Sequence, residues 1–176
     1  SGQELTIGLQ SNRLLKDNPA GQAKGLADDP VELPFFDDFT GSSYLPSPLL
    51  WTDNFAFINN SYSDRQITIG IATLDALDET GKLYERATPD GFEADHLTSR
   101  PINLMYPASD NIRLSFWYEA GGLGDAPESA DSLSLQFFAP DEAEWYSVWR
   151  SDALREPGFR PVIIRIDDPK YLKNGF

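Results

Sequence analysis

The chain reads as an all-β protein, a two-sheet antiparallel jelly-roll sandwich, and three observations point there. Leu114, Phe116 and Tyr118 alternate with Arg113, Ser115 and Trp117, while Leu133, Leu135 and Phe137 alternate with Ser132, Ser134 and Gln136. Period-two alternation marks a strand with one buried face. No window longer than about ten residues carries a helical period, and DALREPGF is broken by Pro157. The 13 prolines and 13 glycines spread turn signals along the chain, as short strands with frequent reversals require.

Residues 1–32 form the first unit. Leu5, Ile7 and Leu9 alternate as a first strand would, and Pro19, Gly21, Gly25 and Pro30 then interrupt any pattern. An extended N-terminal arm is expected there. The jelly-roll domain occupies 33–176 and opens on LPFFDDFTG, where Phe35, Phe36 and Phe39 are apolar anchors around Asp37 and Asp38. FAFINNSY reads as a short strand entering an Asn-Ser turn. In QITIGIATLDAL, Ile67, Ile69 and Ile71 share one strand face, and the small residues Gly70 and Ala72 on the other predict close approach of a second layer. Asp75, Asp78, Glu79 and Gly81 make a polar turn before LYERA.

LTSRPINL, NIRLSFWYE, DSLSLQFFAP, EWYSVW and the run from Val162 to Ile166 complete the strands. Gly121 to Glu128 form a wide reversal between two of them, where glycine reaches backbone angles that other residues resist. The chain stops at Asn174-Gly175-Phe176, a turn followed by what reads as the first residue of another strand. A sandwich ending there would leave a sheet edge unpaired, so the domain is expected to be truncated at its C-terminal end.

Charge restricts the partners. With 14 Lys and Arg against 28 Asp and Glu, the net charge is −14, the wrong sign for neutralising phosphates or an anionic membrane. Nucleic acid is therefore excluded as a partner class, and no apolar run approaches the ~20 residues of a membrane span. The absence of cysteine removes disulfides, thiolate metal sites and thiol catalysis.

The chemistry-bearing residues form no strong motif. His96 is the single histidine, and no G-x-S-x-G segment supplies a nucleophile for it, so it reads as a hydrogen-bonded loop residue. Asp37, Asp38, Asp75, Asp78, Glu119, Asp125, Glu128 and Asp131 offer many carboxylate pairs for glycoside hydrolysis, but nothing selects one. Catalytic residues are expected to be absent. Structural calcium is the more credible chemistry, because hard cations gather oxygens from separate segments. Asp37 and Asp38, Asp95 ahead of LTS, and Asp131 at the start of DSLSLQF are its candidate ligands; each alternatively caps a turn. Trp117 lies on the face opposite Leu114, Phe116 and Tyr118. With Arg113 and Glu119 it forms a candidate binding surface for sugar or protein. Asp125 and Glu128 add a loop contribution to that surface, since binding residues concentrate on loops held by rigid scaffolds.

DDFTG, ADHLTSRPINL, NIRLSFWYEAGG and DSLSLQF, in that order, resemble a MAM-type domain, a jelly roll of extracellular adhesion and receptor proteins. The resemblance runs through Asp38 with Phe39, residues 97–101, 116–122 and 133–137. FFDDF, FINN, IGIATLDALD, GLGDAPE and DSLSLQFFAP bring the chain nearer to surface proteins of Bacteroidota associated with type IX secretion and gliding motility. The departures are the missing cysteines, Thr40 where that pattern places an acidic residue, and the missing final strand. The resemblance implies a non-enzymatic protein-interaction or structural module. Its setting would be extracytoplasmic, on the cell surface, at the outer membrane or in the periplasm, with a protein partner there. A carbohydrate-binding module is the alternative, and a carboxylate-based glycoside hydrolase the second alternative.

Overall fold

A computed structural model describes residues 12–16, 29–41, 43–85, 94–124, 127, 131–151 and 158–176. Within them the fold is β-rich with very little helix. One helical turn, α1 (Arg13–Lys16), precedes β1 (Phe57–Asn59), β2 (Ile71–Thr73), β3 (Arg113–Tyr118), β4 (Ser134–Ala139), β5 (Glu144–Arg150) and β6 (Arg160–Arg165). These strands pair antiparallel as β1–β2, β3–β6 and β4–β5. The candidate first strand at Leu5, Ile7 and Leu9 lies outside the described residues.

The alternation in NIRLSFWY is realised along β3. Leu114, Phe116 and Tyr118 turn inward, and Arg113, Ser115 and Trp117 are exposed. The β4–β5 hairpin supplies the facing layer through Leu135, Phe137 and Ala139 on β4, with Tyr146, Val148 and Trp149 on β5. Trp149 meets Phe116 edge-on at 5.3 Å and Tyr118 at 5.1 Å between ring centroids. Edge-to-face contacts at such distances are favoured by the ring quadrupoles. The core beneath gathers Ile102, Leu104, Phe137, Ala139, Ile166 and Tyr171, all buried.

A bulge decides the fate of two tryptophans. Leu135 stands opposite Trp149 and Phe137 opposite Tyr146, so two steps on β4 match three on β5. One extra residue reverses the facing of everything beyond it. Trp145 and Trp149, four residues apart, would otherwise share a face; instead Trp149 packs inward and Trp145 is 55% exposed. Of the two, only Trp149 packs toward the core.

LTSRPINL becomes a spine touched from three sides rather than a regular strand. Ser99 bridges Trp51 antiparallel, Ile102 bridges Val31 parallel, and Asn103 bridges Asn174 antiparallel. Pro101 interrupts the run because it has no N–H to give a ladder. The last residue is tied into the same spine. Phe176 exchanges backbone hydrogen bonds with Ile102 at 2.8 and 3.0 Å, and its ring packs on Phe137 at 5.0 Å. At the other end, α1 inserts Leu15 into a small second cluster with Leu45 and Phe57, which anchors this part of the arm to the domain.

The isoleucine strand is shorter than its pattern. Only Ile71–Thr73 pairs, while Ile67 and Ile69 are 50% and 68% exposed. Here the Gln66 amide donates to the carbonyls of Thr68 and Ile69 at 2.6 and 2.5 Å, and the Thr68 hydroxyl to that of Gly70 at 2.6 Å. Such local bonds offer the backbone an alternative to a ladder. The close approach expected at Gly70 is made by the DDF turn. Asp37 accepts the Phe39 N–H at 2.7 Å and holds Phe39 at φ 55, and Gly70 donates to the Asp38 carbonyl at 3.2 Å. A Cβ at Gly70 would lie 2.0 Å from the Phe39 carbonyl oxygen, whereas one at Gly41 would meet nothing closer than 3.9 Å. Gly70→Ala is expected to destabilise the fold by about 2–3 kcal/mol, since the obstacle is backbone. Gly41→Ala should be nearly neutral, and urea denaturation of the two variants checks the contrast.

Candidate functional site

Two places concentrate side chains that the fold itself does not require. The first is the outward face of β3 and β6. Arg113 stands opposite Arg165, Ser115 opposite Ile163, and Trp117 opposite Pro161. Trp117 is 53% and Ile163 63% exposed. An apolar strip therefore runs along the ladder and ends in two arginines, on a chain whose net charge is −14. Like charges placed directly opposite destabilise a sheet. Arg165 is relieved by Asp167 at 3.3 Å; among the described residues Arg113 has no ion-pair partner.

Of the binding residues expected from sequence, Trp117 and Arg113 lie together on this face. Glu119 does not join them, because its carboxylate turns away to accept the Asp64 N–H at 3.2 Å. Asp125 and Glu128 lie outside the described residues. Ile163, Pro161 and Arg165 escaped the sequence reading. The signal for them was the alternation in RPVIIRID, which marks a strand but cannot name its neighbour.

The second place is a carboxylate pair beside the only histidine. Asp95 accepts the Ala76 N–H and the Tyr84 hydroxyl, both at 2.7 Å, and Asp75 accepts the Leu77 N–H at 3.1 Å. Burial, and then the Asp95 charge, push the Asp75 carboxyl up to about 6. Burial also raises Asp95, against the Tyr84 hydrogen bond and the His96 charge. His96 packs on Phe55 at 4.4 Å between centroids and lies 3.9 Å from Asp53 Oδ2. Asp53 Oδ2 accepts the Thr98 N–H at 2.7 Å, and its buried Oδ1 has no hydrogen-bond partner among the described residues. The Asp75 and Asp95 carboxyls therefore hold their protons to higher pH than an ordinary aspartate. This arrangement shares no residue with the concavity of about 530 Å³ lined by Met105, Tyr106, Asp141, Leu172, Lys173 and Asn174.

Of the expected calcium ligands, Asp37, Asp38 and Asp95 accept hydrogen bonds within the fold. Asp37 binds the Phe39 N–H and, through Oδ2, the Trp51 indole N–H at 2.7 Å, between the rings of Phe35 and Phe39. Asp38 accepts from Thr40, whose hydrogen bonds hold its carboxyl below the usual range. Asp95 belongs to the pair with Asp75, and Asp131 is exposed ahead of β4. Among the described residues no three His, Cys, Asp or Glu side chains converge as metal ligands, and no helix is long and apolar enough to cross a membrane.

Compared with protein-family models, curated proteins and solved structures, the chain finds no match.

The raised Asp75 has a consequence for stability. An unfolded chain ionises this group near 3.8, the folded one near 6, so the folded state holds the proton more tightly. Its contribution is fully present below about pH 4 and lost as pH rises through about 6. Asp75→Asn keeps the acceptor for Leu77 and removes the charge. The variant is expected to be more stable than the parent by about 1 kcal/mol at pH 8, discounted for partial exposure, with the gain vanishing toward pH 4. Melting temperatures of both proteins across that range test it.

Proposed function

We propose that this chain is a non-enzymatic protein-interaction module, a jelly-roll sandwich whose working surface is the outward face of β3 and β6. What carries the reading is the exposed strip of Trp117, Pro161 and Ile163 beside the opposed Arg113 and Arg165. Nothing in packing asks for an indole and an isoleucine in water, and the paired arginines strain the ladder that bears them. Exposed aromatic and aliphatic residues next to arginine are the composition of protein contact surfaces. The extracytoplasmic setting, in a surface or type IX secretion-associated protein of Bacteroidota, rests on the sequence resemblance alone.

A carbohydrate ligand is the second reading, favoured by the half-exposed indole of Trp117. The two separate on Ile163. A protein partner covering the whole strip loses affinity in both Trp117→Ala and Ile163→Ser, by about tenfold or more for each anchor. A sugar stacked on the indole loses affinity in Trp117→Ala only. Capture of partners from solubilised outer membranes, run beside a glycan array with the same two variants, measures both. If neither variant changes any binding, the face is not the working surface.

A further inference from the structure

We infer that the chain self-associates through the outer edge of β3, a second copy adding its own β3 antiparallel to form one four-stranded sheet in the order β6–β3–β3–β6. The inference rests on the reading that this module works by protein contact; it adds the strand's edge to the face of the proposed function, with Arg113 and Trp117 belonging to both.

The edge follows from the register. The Ile166 N–H donates to the Ile112 carbonyl at 3.0 Å, so the pair 112–166 is hydrogen-bonded. Opposed residues in an antiparallel ladder alternate between bonded and non-bonded pairs. Arg113–Arg165, Ser115–Ile163 and Trp117–Pro161 are then the non-bonded ones, and their backbone groups point away from the partner strand. On β6 that outer edge is blunted by Pro161, which has no N–H to offer. On β3 it is intact. Arg113, Ser115 and Trp117 each present an N–H and a carbonyl, all three residues are exposed, and no other described strand pairs with β3.

This edge is complementary to itself. Two antiparallel copies of β3 centred on Ser115 place Ser115 opposite the partner's Ser115 and Arg113 opposite the partner's Trp117. About six backbone hydrogen bonds close, two for each opposed pair. Each guanidinium, which has no ion-pair partner in one copy, gains an indole across the strands. On the inner face Leu114 meets the partner's Phe116, so both layers continue across the seam. Such a contact is isologous and closes as a dimer. A register shifted by two residues loses both Arg–Trp pairs. Copies carrying −14 each repel one another over long range, so association should strengthen as salt is raised from low to physiological ionic strength.

The test uses sedimentation of the whole chain with variants at the symmetry axis. Ser115→Lys opposes two ammonium groups and Ser115→Glu two carboxylates; each alone is expected to weaken the dimer by about tenfold or more. An equimolar mixture of the two should restore it as a heterodimer, a rescue that only the register centred on Ser115 gives. Both side chains stand on the solvent face, so folding is preserved, and circular dichroism verifies that. Ile163→Ser, on β6, should leave the dimer within about twofold of the parent while weakening partner capture, which keeps failure of the two readings distinct. A chain that stays monomeric at about 1 mM, the weak end of protein association, overturns the inference. So does one that takes up an extended foreign peptide along β3 in place of its own copy, or a dimer indifferent to both charge variants and their mixture.

Discussion

The register between β3 and β6 is the constraint on which the rest depends. Because side chains alternate and backbone groups alternate with them, one hydrogen bond between Ile166 and Ile112 sets three properties together. It sends Leu114, Phe116 and Tyr118 to the core, leaves Trp117 and Ile163 in water, and aims the backbone of Arg113, Ser115 and Trp117 at the open edge. A slip of one residue would bury arginine and serine and expose the ring that Trp149 packs against. The inner aromatic layer makes that slip costly, so the exposed face is held by the energetics of the buried one.

Around this ladder the chain relies on single bridges and side-chain clasps. The spine around Ile102 binds Val31 on one side and the last residues on the other, while Asp37 clasps both Phe39 and Trp51. Carboxylates serve as acceptors for backbone N–H groups throughout: Asp38, Asp75, Asp78 and Asp168 each close a local turn, and Asp53 holds the N–H of the distant Thr98. Much of the acidic surplus therefore works within the structure as turn chemistry. Asp75 and Asp95 accept backbone N–H groups as well, but burial, and for Asp75 then the charge of Asp95, raises their carboxyls.

Legibility followed the range of the interaction. The strand at Arg113–Tyr118 was readable from alternation, and the Asx turn after Phe57–Asn59, where Asn59 accepts from Ser61 and Tyr62, was readable from FINNSY. Trp117 and Arg113 could be placed on the face opposite Leu114, Phe116 and Tyr118 because one strand's own period separates its faces, but that period equally allowed a second layer to bury them; the exposure was decided by the fold. Ile163 and Pro161 were missed because membership of that surface depends on which strand lies alongside. The isoleucine run misled for the opposite reason: its pattern favours a strand, but the Gln66 side chain captures the same backbone first.

The sequence by itself determined the β-rich class, the absence of thiol chemistry, the acidic balance and the inward set on β3, all of which follow from residue type and local period. Tertiary structure alone decided that Trp145 is exposed while Trp149 packs inward half-buried, that Asp75 is buried beside Asp95 and so holds its proton more tightly, and that Arg113 faces another arginine. A bulge is one extra residue measured against a partner strand, and the raised Asp75 carboxyl reports burial together with a neighbouring charge. Neither quantity exists until distant segments of the chain are brought side by side.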